Sequence, residues 1–313
     1  MTIARNHHWI PQCYLKGFAK ARSKKSKLTV LDLIGQKTFE TVPRNVASER
    51  DFNRLDSSTI DPNLVEKRLG ELEGALDSVL GEIISKARMP AGDELVLLMN
   101  FIALMSVRNP RARSEMNRAL AQTSEYILDI AMSSKVMWDS QMERLRTDGV
   151  RDTIEYEQAL ALHGAVPLKC EIANAFHVQQ ELEVLDAVIP CLLSRKWSLH
   201  VAPSACGGFV TSDHPVCLYW CDGIQRRNPP GHALTHTEVM FPISKELLAV
   251  GRFVKESAPM QVDMFDVAYA NSVIACFARR QVYASTVNVL YLSPTAGTMS
   301  RGTSFVNAFA KAA

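Results

Sequence analysis

Two adjacent imidazoles, His7 and His8, stand just ahead of Pro11 in the stretch Asn6-His7-His8-Trp9-Ile10-Pro11-Gln12-Cys13-Tyr14-Leu15-Lys16-Gly17-Phe18-Ala19. The proline gives them a fixed, turn-like backbone, and a neutral imidazole can accept a proton near pH 7 or ligate a metal. A second polar group, Thr211-Ser212-Asp213-His214-Pro215, follows a short apolar run. Its polar side chains are expected at a strand end, where rigid scaffolds commonly display reactive groups. There Asp213 would ligate a metal or orient a histidine, and Ser212 or Thr211 would position a phosphate. The competing reading is an Asx-turn, with Asp213 bonded back to local amides. A Ser/His/Asp triad from these neighbours would be poor, because adjacent side chains on an extended chain point to opposite faces.

Cys217, Cys221, His232 and His236 have three residues inside each pair and ten between the pairs. That is close to a two-cysteine, two-histidine zinc spacing, but Pro229-Pro230-Gly231 breaks the helix such histidines need. Buried thiols beside an unrelated loop are the simpler expectation. Arg108, Arg111, Arg113 and Arg118 cluster where two helices should meet. Arg108 ends the most apolar segment, so it is expected to be partly buried, against a carboxylate or a ligand phosphate. No Gly-rich phosphate loop occurs, which leaves NTP hydrolysis and dinucleotide cofactors unsupported.

The N-terminal stretch resembles the opening of a large microbial family, domain-of-unknown-function family 4238, with its His-His, Pro, Tyr-Leu and Phe pattern. Later signatures look similar too: Asn45-Val46-Ala47 with Asp51-Phe52, the Phe101 to Arg108 helix with Asn109-Pro110, Phe209 to Val216, and Phe241-Pro242-Ile243-Ser244. Asn53 departs from the family, which often carries tyrosine there. The resemblance implies a grouping and no activity.

The histidine pair is also similar to the start of the His-Asn-His nuclease motif, in which the first residue binds a divalent metal and the second histidine activates water. That likeness implies a metal-assisted phosphodiesterase or nuclease; a use in microbial defence is an expectation that goes beyond what the residues show. His7 would be a ligand, His8 the base, Asp213 a second ligand or orienter, and Arg108 and Lys16 phosphate binders, with Tyr14 and Ser212 also touching substrate. Asp51 and Asn45 are further groups that could complete the site. The motif's usual hairpin precedes its helix, whereas here the hairpin follows the histidines. The alternative is a non-catalytic protein that binds nucleic acid or a partner through a basic N-terminal face, its histidines hydrogen-bonded to backbone.

The elements around these residues read as an α+β fold. Leu28–Leu33 and Lys37–Val42 flank an Ile-Gly-Gln turn and predict a β-hairpin. Asp61-Pro62 predicts a helix start, and Leu64 to Ile84 shows apolar residues at three- and four-residue spacing. Leu95–Val107 predicts a buried helix, stopped by Asn109-Pro110. Further helices are expected over Arg111–Trp138, Thr153–His163 and Leu168–Arg195, with Leu145–Asp152 as a polar connection. Strands are expected at Trp197–Val201, Gly208–Thr211, Val216–Trp220, Val239–Phe241 and Leu247–Val250. A late helix, Val262–Arg280, precedes a strand at Gln281–Ala284. The N-terminal hairpin and C-terminal strands are expected to form a sheet around or beside the large helical middle. One domain is expected over 1–313, with 1–60, 61–195 and 196–313 as its natural subdivisions.

At 313 residues and 47% hydrophobic, the chain can bury a full core. The charged Met1–Phe18 stretch has no apolar h-region, so secretion is not expected, and Leu95–Val107 is too short to span a bilayer. Seven irregularly spaced cysteines fit reduced thiols and a cytoplasmic setting. The net charge of +2 hides an asymmetry: residues 1–27 hold seven bases and no acid, leaving 28 bases against 33 acids elsewhere. Such a segment could face phosphates or form a solvated loop.

Overall fold

The computed structural model describes residues 5–55, 61–151, 153–163, 172–224, 226–254 and 261–312. The chain forms two compact units, Met1–Asn109 with Asn174–Ala313, and Pro110–Ala173.

The first unit begins with β1 (Asn6–His8) and α1 (Gln12–Leu15), followed by β2 (Leu28–Asp32) and β3 (Lys37–Thr41). The predicted hairpin is present, with Val30 opposite Phe39. Next comes β4 (Ser48–Arg50), then α2 (Leu64–Lys86), whose Leu76, Val79, Leu80 and Ile83 form the buried stripe. The start of α2 lies two residues beyond Pro62. Asp61 bonds forward instead, accepting from the Asn63 amide at 2.9 Å through its side chain and from the Leu64 amide at 3.0 Å through its carbonyl. α3 (Gly92–Val107) is the expected buried helix, with Asp93 and Glu94 in the first turn, where the exposed amides favour negative charge.

Within the second unit, α4 (Pro110–Met132) and α5 (Lys135–Thr147) replace the single helix expected over Arg111–Trp138. Ser134 starts the new helix by accepting the Met137 amide at 3.3 Å, a cap too common a residue to be read as a break. α5 therefore takes in part of the expected connection. α6 (Tyr156–His163) follows, and Ala131, Met132, Trp138 and Ala159 make a small core.

The first unit resumes with α7 (Asn174–Leu193), which keeps Pro190 inside. The Leu168–Glu171 part of the expected helix, with Cys170, lies outside the described residues. β5 (Lys196–Val201), β6 (Thr211–Ser212), β7 (Cys217–Trp220), β8 (Thr237–Pro242) and β9 (Leu247–Arg252) follow. Then come α8 (Met264–Phe277), β10 (Gln281–Ala284), β11 (Leu290–Leu292), β12 (Met299–Arg301) and α9 (Phe305–Ala308). α8 is shorter than expected. It starts where Asp263 and Asp266 cap each other's amides and ends before the Arg279–Gln281 turn.

Two antiparallel four-stranded sheets organise this unit, in the orders β3-β2-β10-β6 and β5-β9-β8-β7. The first joins the N-terminal hairpin to C-terminal strands, Val30 lying opposite Tyr283. Residues 213–216 carry the chain from one sheet to the other. One buried cluster packs α1, α2, α3 and α7 with sheet residues such as Phe241 and Tyr283. A second surrounds α8 and α9. Among the described residues no helix is long and apolar enough to cross a membrane.

Candidate functional site at the histidine strand

Asn6-His7-His8 is too short to hold itself in place, and it is fixed by antiparallel pairing with β4, His7 opposite Glu49 and His8 opposite Ser48. Alternation then sends the two imidazoles to opposite faces. His7 is fully buried, and its Nδ1 accepts the Asn53 backbone N–H at 3.0 Å. A neutral ring that accepts at Nδ1 carries its proton on Nε2. His8 is half-buried, and its Nε2–H donates to the Arg44 carbonyl at 3.2 Å. Burial lowers the His8 pKa below its ordinary value, which favours the neutral ring.

Asn53 is the hub of this region. Its side-chain amide donates to Glu66 Oε2 at 2.8 Å, and its Oδ1 accepts from Arg108 Nη1 at 2.9 Å. Arg108 Nη2 reaches back to the carbonyls of His8 at 3.2 Å and Trp9 at 3.4 Å. Arg108 is only 3% exposed, so its fork ties the end of α3 to the strand that carries the histidines. Two helical turns beyond Glu66, Glu73 lies half-buried. Burial, reinforced by Glu66, raises its carboxyl above the usual range.

The other sequence-predicted residues have their own positions. Lys16 pairs with Asp77 at 2.7 Å. Tyr14 is fully buried, stacked on Phe241 with ring centroids 5.3 Å apart, and its hydroxyl meets Thr211 Oγ1 at 2.7 Å and the Pro242 carbonyl at 2.8 Å. It pins α1 to the sheets. Asp51 pairs with Arg5, and Asn45 donates to Thr41 Oγ1 at 2.9 Å. Ser212 is buried and closes a local turn, donating to the His214 carbonyl at 2.9 Å.

Asp213 sits at the corner between α8 and β10. Its Oδ1 accepts the Arg279 amide at 2.7 Å, and its Oδ2 accepts those of Arg280 at 2.7 Å and Gln281 at 2.9 Å. Burial raises its carboxyl against these three donors, which favour the charged form. The side chain thus faces backbone rather than the histidine strand. Cys217 is buried, its thiol pushed above the ordinary value, while Cys221 is exposed and bonds the His236 carbonyl at 3.2 Å. Among the described residues no group of three or more His, Cys, Asp or Glu side chains is placed to hold a metal ion.

His7, His8 and Arg108 are therefore brought together, with Asn53 and Glu66 as the partners that sequence reasoning missed. Glu66 stands in the first turn of α2, and nothing in its local pattern marks it as a partner of Asn53. Lys16 and Tyr14 belong to the adjoining α1 segment, and Asp213 and Ser212 to a separate corner. A family model described as a protein of unknown function (DUF4238) matches residues 6–288. No curated protein and no solved structure matches the chain.

Proposed function

For a chain that belongs to DUF4238, a family whose description assigns no activity, we propose a non-catalytic nucleic-acid-binding role, carried by the basic loop 20–27. The loop is ordered by its own backbone, with Lys20 N–H donating to the Lys27 carbonyl at 2.9 Å and Ser26 N–H to the Ser23 carbonyl at 3.0 Å. It exposes Lys20, Arg22, Lys24, Lys25 and Lys27. Acidic groups offset part of this charge: Glu40 is ion-paired with Lys20 and lies 4.0 Å from Lys27, Asp77, already bonded to Lys16, lies 4.0 Å from Arg22, and Lys24 favours the charged form of the half-buried Glu73. This outward excess of cations carries the proposal, since phosphates bind such loops by releasing counterions. The free cysteines fit a reducing, cytoplasmic setting.

The competing reading is a metal-assisted phosphodiesterase built on His7, His8 and Asp213. It requires His7 to give up its buried amide, or to ligate through a nitrogen that holds a proton. It also needs a metal ligand from Asp213, whose carboxylate is already directed at three backbone amides, so we rank it second.

The test is anisotropy of labelled oligonucleotides across about 50 to 200 mM salt. Two to five contacts, depending on how many of the ion-paired cations engage phosphate, predict a log–log slope of about −1.5 to −4.5, and Lys24→Glu with Lys25→Glu should flatten it by about one to two. A salt-independent or absent signal overturns the proposal. Cleavage that needs Mg²⁺, Mn²⁺ or Zn²⁺ and disappears in a folded His8→Ala variant would promote the phosphodiesterase instead.

A further inference from the structure

Resting on that binding role, we infer that the nucleic acid is single-stranded and that a base stacks on Phe39. β3 is the edge of its sheet, and Lys37, Thr38, Phe39 and Glu40 are all exposed. Phe39 shows 38% of its surface to solvent, an unusual position for a phenyl ring on a strand whose neighbour β2 is wholly buried. Lys37, two residues away on the same face, holds its Nζ 6.0 Å from the ring centroid. Its cross-strand neighbour Asp32 is already bonded to Arg280, so Lys37 has no claim on that carboxylate.

The basic loop runs directly into β2, and Lys20 and Lys27 both reach Glu40, the residue after Phe39. Glu40 and Phe39 point to opposite faces of the strand, so cations and ring meet only around the sheet edge. A flexible single strand can wrap that edge, laying phosphates on the loop and a base on the ring. A duplex keeps its base faces stacked and offers only backbone.

Anisotropy with equal-length single-stranded DNA, single-stranded RNA and duplex DNA tests this, using wild type, Phe39→Leu and Phe39→Trp. Leucine keeps an apolar side chain beside Val30 and removes the stacking face. We expect single strands of at least one sugar type to bind about tenfold more tightly than duplex. Phe39→Leu should weaken them by roughly five- to tenfold, and the fluorescence that Phe39→Trp adds over wild type should be quenched on binding. Equal affinity for duplex and single strands, or unchanged single-strand binding by a folded Phe39→Leu, overturns the inference and leaves the loop's binding role standing. Loss of all binding by wild type removes both.

Discussion

The backbone N–H of Asn53 donates to Nδ1 of His7 across 3.0 Å, although 46 residues separate the two in the chain. The bond closes the β1–β4 pair from inside the fold. His7→Ala should leave a buried amide without its acceptor and a cavity beside it, costing about 2–4 kcal/mol in urea denaturation. His7→Asn, whose Oδ1 can take the place of Nδ1, should recover part of that loss. Equal stability of wild type and His7→Ala would refute the structural role.

Arg108 spans Asn53 and two main-chain carbonyls with a planar fork that an ammonium cannot reproduce. Arg108→Lys should cost about 2–3 kcal/mol despite keeping the charge. A double-mutant cycle with Asn53→Ala should give a coupling of about 1–2 kcal/mol, and additive losses would break the proposed hub.

Asp213→Asn retains the shape of the side chain but turns donors toward donors. With three amides converging on the carboxylate, the expected loss is about 3 kcal/mol, seen as a lower denaturation midpoint with an unchanged slope. Amide exchange at Arg279, Arg280 and Gln281 should accelerate together. A neutral effect on both would show that the corner is held by packing alone.

His232 supplies the clearest pH dependence. Burial, aided by Arg195, lowers its pKa from 6.5 to about 4. Between those values the unfolded chain binds a proton that the folded ring refuses, so stability falls as pH falls through that window and levels off beneath it. The whole span is worth about 3 kcal/mol. His8 and His200, also lowered by burial, act in the same sense. From pH 7 through 5.5 to 4, the urea midpoint of wild type should fall relative to that of His232→Asn, whatever their difference at pH 7, and parallel curves would contradict the assignment.

Local patterns made some of this molecule readable and hid the rest. The β2–β3 hairpin and α3 announce themselves because alternation and continuous apolarity are properties of a few neighbouring residues. β1 and β4 do not. Their three-residue strands are polar and derive their pairing from each other across some forty positions. The α4–α5 break is similarly quiet, since no glycine or proline marks it. At the site, Arg108 could be anticipated from its place at the end of an apolar helix. Asn53 and Glu66 could not, because their roles exist only once β1, α2 and α3 converge. Asp213 is expected to bond either a ligand or its own local amides, and it does the second at long range: the amides it accepts lie 66 to 68 residues on, while Ser212 makes the local turn.

Asp32 and Arg280, partners across the β2–β10 pair, are 248 residues apart. At roughly 5–20 residues per second, a ribosome needs tens of seconds to supply the second strand after the hairpin emerges. Throughout that time the inner edge of β2 has no neighbour, and its apolar residues are open to other chains. A complete chain placed in refolding conditions meets the same long-range pairing without the delay of synthesis, so refolding should be slow and its yield should fall with protein concentration, as aggregation at this edge competes with closure of the sheet.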